Sequence, residues 1–142
     1  MGIIRVLPDE AIEELFRTAV VGRIACCSHG TGEDARPYLV PIAFGYDGEA
    51  LYAHTGPGRK LRLMRANPLV TVEVDEAQAP DRWRSAVAEG VFEEVDVDDP
   101  AARERALRFL YPPPDPIPDL GAMTTVFRIR LTAKSGRYET PD

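Results

Sequence analysis

A mainly β fold, an antiparallel barrel, closed or split, of about six strands with two or three short helices outside it, is what this sequence predicts. Three observations lead there. Short apolar runs rich in β-branched residues recur along the chain, bounded by Gly, Pro and Asp clusters. A strong hairpin signal, Asp47-Gly48, joins two of them. Helical spacing is confined to three brief stretches.

Taken in order, the first helix carries Ile12, Leu15, Phe16 and Ala19 on one face. Pro8, Asp9 and Glu10 lie at its start, and Gly22 stands at or after its end. Arg23 to Ser28 reads as a strand, followed by the turn-rich stretch His29 to Ala35. Tyr38 to Tyr46 and Ala50 to His54 form the hairpin around Asp47-Gly48. Gly56-Pro57-Gly58 then forces a turn into a short helix, Arg59 to Ala66, stopped by Asn67-Pro68. Val70 to Asp75 and Arg84 to Val95 are two further strands, separated by a polar loop from Ala77 to Arg82. Asp99 caps a helix from Pro100 to about Tyr111. Five prolines between Pro112 and Pro118 make an extended connector, and a last strand runs from Thr124 to Ala133. There is no internal repeat and no linker, so residues 1–142 are expected to form a single domain.

Composition narrows the function. The chain is 44% hydrophobic and 28% charged, with a net charge of -6. An acidic chain lacks the basic face that releases counterions from nucleic acid, so no nucleic-acid partner is expected. The N-terminus is charged by residue 5, which does not suit a signal peptide, and no apolar run nears the ~20 residues that span a bilayer. No membrane contact and a cytoplasmic location are the expectation. Cys26 and Cys27 are adjacent, make no ordinary disulfide or zinc pattern, and fall on opposite faces of one strand. His29 and His54 have no ligand spacing around them, so no metal is expected.

One segment carries chemistry. From Leu51 to Leu61 a strand runs into a glycine-rich turn, and Arg59 and Lys60 open the helix that follows. Cations are badly placed there, because a helix start already carries partial positive charge. The helix from Pro100 shows the ordinary arrangement, with Asp98 and Asp99 before it and Arg105 and Arg108 late in it. Two readings of the exception stand side by side. The cations point into solvent, at a cost of only ~0.3–1 kcal/mol, or they hold an anion such as a phosphate. The segment is neither a Walker loop nor a GxGxxG fingerprint.

A linked set of segments bears on that choice. Gly22-Arg-Ile-Ala25, Arg36-Pro-Tyr-Leu-Val-Pro-Ile-Ala-Phe44, Leu51-Tyr-Ala-His-Thr55, Gly58-Arg-Lys-Leu61, Arg65-Ala-Asn-Pro68, Val72-Glu-Val-Asp75, Trp83-Arg-Ser85 and Gly90 follow one another in order. The set resembles the FMN-binding split barrels, the pyridoxamine 5'-phosphate oxidase-like and nitroimidazole-reductase-like proteins. It covers roughly residues 20 to 95.

The resemblance implies a six-stranded antiparallel split β-barrel and an FMN-dependent oxidoreductase. Arg59 and Lys60 would hold the FMN phosphate, and His54 and Thr55 would contact the phosphate or the ring. Val40, Pro41 and Ile42 would lie along the isoalloxazine, largely through backbone. Trp83 and Ser85 would complete the pocket across a homodimer interface. A small-molecule substrate and a reduced nicotinamide donor are implied; no catalytic side chain is. A deazaflavin-dependent reductase, a non-catalytic FMN carrier or sensor, and a barrel with an empty site are the rival readings. Arg130 to Asp142 lacks the second tryptophan–arginine pocket of true pyridoxamine-phosphate oxidases, which leaves the vitamin-linked substrate unsupported.

Bland readings exist for several of these residues. A lone histidine at a strand end, His54, is ordinarily a polar tip in a satisfied pocket. Trp83 alone reads as core. Pro41 supports its assigned place physically: it can donate no ladder hydrogen bond, so the sheet is edge-like there. Tyr38, Tyr46 and Tyr52 read as packing residues. Ser28-His29 lacks the elbow and the acid of a nucleophile pair. Glu93 to Asp99 reads as a solvated edge and helix start.

Overall fold

The computed structural model describes residues 2–142. Its elements are β1 (Gly2–Val6), α1 (Asp9–Thr18), β2 (Val21–Cys26), a 3-10 turn (Gly32–Ala35), β3 (Tyr38–Ala43), β4 (Gly45–Tyr46), β5 (Ala50–Thr55), α2 (Arg59–Ala66), β6 (Leu69–Ala79), β7 (Arg82–Glu94), α3 (Pro100–Leu110) and β8 (Thr125–Pro141). The strands form one antiparallel sheet in the order β3-β2-β6-β7-β8-β5-β4, with β1 added on β8. The sheet curls into a half-barrel around a core that includes Ile24, Leu51, Val72, Val74, Ala88, Phe127 and Ile129, and α1 inserts Ile12, Leu15 and Phe16 into it. Among the described residues no helix is long and apolar enough to cross a membrane.

The expected class is therefore the observed one, with more strands than six. The expected Tyr38–Tyr46 strand is divided at Phe44 into β3 and β4, β1 is added, and β8 is longer than expected. β1 is exposed on both faces, so its sequence carries no alternation to read. It is held by pairing with the distal half of β8, from Gly2 opposite Pro141 to Val6 opposite Arg137. β8 itself does not stop at Ala133 but runs on to Pro141. Lys134-Ser135-Gly136 resembles a turn, yet Gly136 is buried mid-strand, where an added Cβ would meet Leu7 and the Ser85 carbonyl at 2.9 Å. The position needs glycine for close approach, not for turning.

Two boundaries also moved. The loop expected from Ala77 to Arg82 is a tight hairpin, with Ala79 opposite Arg82 and only Pro80-Asp81 between the strands. Gly22 lies inside β2, where an added Cβ would sit 2.7 Å from the Glu73 carbonyl. By contrast α2 begins and ends where its sequence indicates, and the Asp99 side chain caps α3 by accepting from the Ala102 N–H at 3.0 Å. Cys26 is buried and Cys27, just past the strand, is half-buried.

Two features of this frame position the site. β3 is an edge strand, which is where Pro41 can be accommodated. α2 follows β5 and packs against β2, so it bridges two parts of the curled sheet. Outside the barrel, α3 covers β5 and β8 with Ala106 and Leu107 against Val126.

Candidate functional site

The site is the corner where β5 passes through Gly56-Pro57-Gly58 into α2. Gly58 occupies the cap position of α2 without a side chain to accept from the first turn, and no acid lies in that turn. The opening N–H groups therefore face outward with two cations beside them. α3 solves the same problem with Asp99. The corner at α2 is built with its positive charge uncompensated.

Arg59 is fixed without a carboxylate. Its guanidinium carbon lies 4.7 Å above the centre of the Tyr38 ring, and Nη2 donates to the Glu33 carbonyl at 3.2 Å. Its Nε is buried and makes no hydrogen bond, an orphaned donor of the kind native proteins rarely leave. Lys60 forms no ion pair or hydrogen bond among the described residues. Burial pushes its ammonium below the ordinary value, while the nearby Cys26 thiol acts in the opposite direction. Cys26 donates to the Tyr38 carbonyl at 3.9 Å, and burial raises its pKa.

His54 closes the corner from β5. Its Nε2 is 2.8 Å from the Tyr111 hydroxyl. Burial lowers its pKa first, and the charges of Lys60 and Arg103 lower it further. Burial and these two charges together disfavour the imidazolium. Thr55 bonds only the Gly56 carbonyl, at 3.1 Å.

The remaining residues singled out in the sequence divide into two places. On β3, Val40 is half-buried and Ile42 is 4% exposed, whereas Pro41 points outward opposite Arg23. Trp83 and Ser85 lie on β7, apart from the α2 corner within one chain. The Trp83 indole donates to Glu139 at 3.0 Å, and the Ser85 hydroxyl donates to Glu73 at 2.7 Å. Tyr38, Tyr111 and Arg103 are site residues that sequence reasoning missed. Tyr38 was readable only as packing, and Tyr111 and Arg103 lie too far from His54 in sequence to leave a local signal.

A model of the family described as "Pyridoxamine 5'-phosphate oxidase" matches residues 8–138. The chain belongs to the pyridoxamine 5'-phosphate oxidase family. Solved structures similar to the chain include an FAD-binding protein from Mesorhizobium loti, 33% identical, with a TM-score of 0.76 over 98% of this chain and 99% of that one. A putative 5-nitroimidazole antibiotic resistance protein from Bacteroides thetaiotaomicron shares the fold at a TM-score of 0.81. It is 21% identical, over 98% of this chain and 89% of that one. An FAD-binding protein from Mycobacterium smegmatis, 23% identical, has a TM-score of 0.71 over 96% and 100% of the two chains. An uncharacterized protein of Rhizobium meliloti (strain 1021) is 31% identical over 102 residues, 72% of this chain but only 64% of that protein. Family membership thus rests on nearly the whole chain.

Proposed function

We propose that this member of the pyridoxamine 5'-phosphate oxidase family is a flavin-dependent oxidoreductase that grips FMN by its 5'-phosphate at the start of α2. One observation carries the reading. Two adjacent cations, Arg59 and Lys60, stand at an uncapped helix start without a carboxylate partner, and the buried Nε of Arg59 lacks any acceptor. A dianionic phosphate would supply the missing acceptors and reverse an unfavourable helix-end charge. The 33%-identical FAD-binding relative supports a flavin, and FMN is the riboflavin-phosphate half of FAD.

The chain's own residues would bind and orient. Arg59, braced on Tyr38, and Lys60 would take the phosphate. His54 and Thr55 would border it from β5. The backbone of Val40, Pro41 and Ile42 on the free edge of β3 would lie along the ring. A bound flavin supplies the electron or hydride transfer between a reduced nicotinamide donor and a small-molecule substrate.

Trp83 and Ser85 would enter from a second copy of the chain. Supporting this, the outer face of β3, β2, β6 and β7 exposes Leu39, Val21, Leu69 and Val87 around Arg23, which pairs with Glu73 and Asp75 at 3.5 and 3.4 Å. An apolar sheet face of this kind marks an interaction surface. A two-fold dimer would cover it and yield twice the 15.7 kDa chain mass in sedimentation. A monomer that binds FMN fully would remove the shared pocket.

The phosphate grip is tested with two ligands. Each charge-assisted contact is worth ~1.5–3 kcal/mol, and ~1.4 kcal/mol is tenfold in affinity. Lys60→Ala should weaken FMN by roughly one to two decades while leaving the weaker binding of riboflavin, which lacks the phosphate, nearly unchanged. Equal losses for both would show that Lys60 supports the fold or the ring instead.

A further inference from the structure

Outside the barrel, between α3 and the strands it covers, lies a second cavity of ≈ 380 Å³. Its size falls within the ~300–1,000 Å³ of small-molecule sites. Tyr52 and Arg128, directly opposite each other on the β5–β8 ladder, line its sheet side. Ala102, Arg105, Ala106 and Phe109 line its helix side, at the three- and four-residue spacing of one helical stripe. Two of these four are alanines, whose short side chains leave the gap between helix and sheet open. None of His54, Thr55, Arg59 and Lys60 lines the cavity, so it is distinct from the phosphate corner.

The cavity has an aromatic wall and a surplus cation. The Phe109 ring stacks on Tyr52, with centroids 4.8 Å apart and planes 13° from parallel. Tyr52 is itself pinned, because its hydroxyl donates to Asp47 at 2.7 Å. Phe109 is nonetheless 43% exposed, which leaves flat ring surface free for another planar group. Arg128 shares one carboxylate, Glu93, with Arg130, at 3.1 and 3.3 Å. Arg105 forms no hydrogen bond or ion pair among the described residues. The acids in the lining are engaged elsewhere: Glu94 pairs with Arg65 at 2.7 Å, and Asp96 accepts the Asp98 N–H at 2.9 Å. Arg105 is the cation left over.

We propose that this cavity is a binding site for a planar aromatic carboxylate. The ring would lie against Phe109 and the two alanines, and the carboxylate would sit between Arg105 and Arg128. A guanidinium presents paired donors in one plane, the arrangement that a carboxylate accepts. The site draws on residues of α3, β5 and β8 alone, so it stands apart from the reading of the α2 corner.

Calorimetric titration of the full chain with 2-naphthoate and with its neutral counterpart, 2-naphthamide, tests the assignment. Wild type should take up one naphthoate per chain and bind it about tenfold or more tighter than the amide. Arg105→Gln should bring naphthoate down to the affinity of the amide, and Arg105→Lys should restore part of the difference. Phe109→Leu should weaken acid and amide alike. Lys60→Ala should leave naphthoate binding unchanged. No binding to wild type, equal affinity for acid and amide, or full affinity in Phe109→Leu would overturn the proposal. A loss in Lys60→Ala as large as that in Arg105→Gln would also overturn it, by placing the aromatic anion at the α2 corner.

Discussion

Two lysines toward opposite ends of β5 live in opposite surroundings. Lys134 donates to Glu13, to the Tyr46 hydroxyl and to the Gly48 carbonyl, and Tyr46 in turn donates to Glu13. That cluster ties α1, the β4–β5 hairpin and β8 together, with every charge matched. Lys60 is likewise half-buried and has no such partner among the described residues. The pKa shifts follow the difference. Burial opposes the charge on both, but Glu13 and Tyr46 raise Lys134 overall, while Lys60 stays depressed. One cation has its partners within the fold, and the other has none among the described residues, the arrangement from which the phosphate grip is proposed.

The largest expected effect lies at the matched cluster. Lys134→Met keeps the apolar stem and leaves Glu13, Tyr46 and the Gly48 carbonyl without their shared donor. It should cost roughly 1.5–3 kcal/mol in denaturant unfolding. A loss below about 0.5 kcal/mol would place the cluster among surface pairs of little consequence.

The same cluster sets an acid dependence. Burial works to raise the Glu13 pKa, but hydrogen bonds from Lys134 and Tyr46 prevail and hold it below the ordinary carboxylate value. The unfolded chain therefore binds the proton first as pH falls. Glu13's contribution is complete above the ordinary carboxylate pKa and is lost as pH drops through the depressed one. Lys134→Met should lose less stability than wild type between pH 5 and pH 3; identical acid profiles would detach Glu13 from Lys134.

A smaller effect is expected at the unmatched corner. In the free protein the His54 imidazole should titrate below its ordinary value of about 6.5, as read by NMR. A bound phosphate favours the imidazolium, so saturation with FMN should move the midpoint upward. An unmoved midpoint would put the anion elsewhere.

The two regions also differ in how much of them could be read in the sequence. The corner was largely legible because its signal is local: strand, glycine turn and misplaced cations lie within Leu51–Leu61. Pro41 was legible for the same reason, as a residue that cannot donate to a ladder. The Glu13–Tyr46–Lys134 cluster was not, since its members lie 33, 88 and 121 residues apart in pairs and meet only after the barrel curls. Tyr111 on His54 and Tyr38 under Arg59 escaped likewise. β1 and the distal half of β8 support each other, so neither shows an independent pattern.

Thermal unfolding of wild type, Lys60→Ala and Lys134→Met, each with and without saturating FMN, tests the contrast most directly. A ligand that binds only the folded chain raises the midpoint in proportion to RT ln(1 + [L]/Kd). Without FMN, Lys60→Ala should unfold at or above the wild-type midpoint, because a cation leaves a positive helix end. With FMN it should lose most of the rise that wild type shows. Lys134→Met should do the reverse, unfolding lower without FMN and keeping the full rise. If Lys60→Ala destabilises the free protein as much as Lys134→Met and retains the full FMN-induced rise, the account of an unmatched, ligand-holding cation is contradicted.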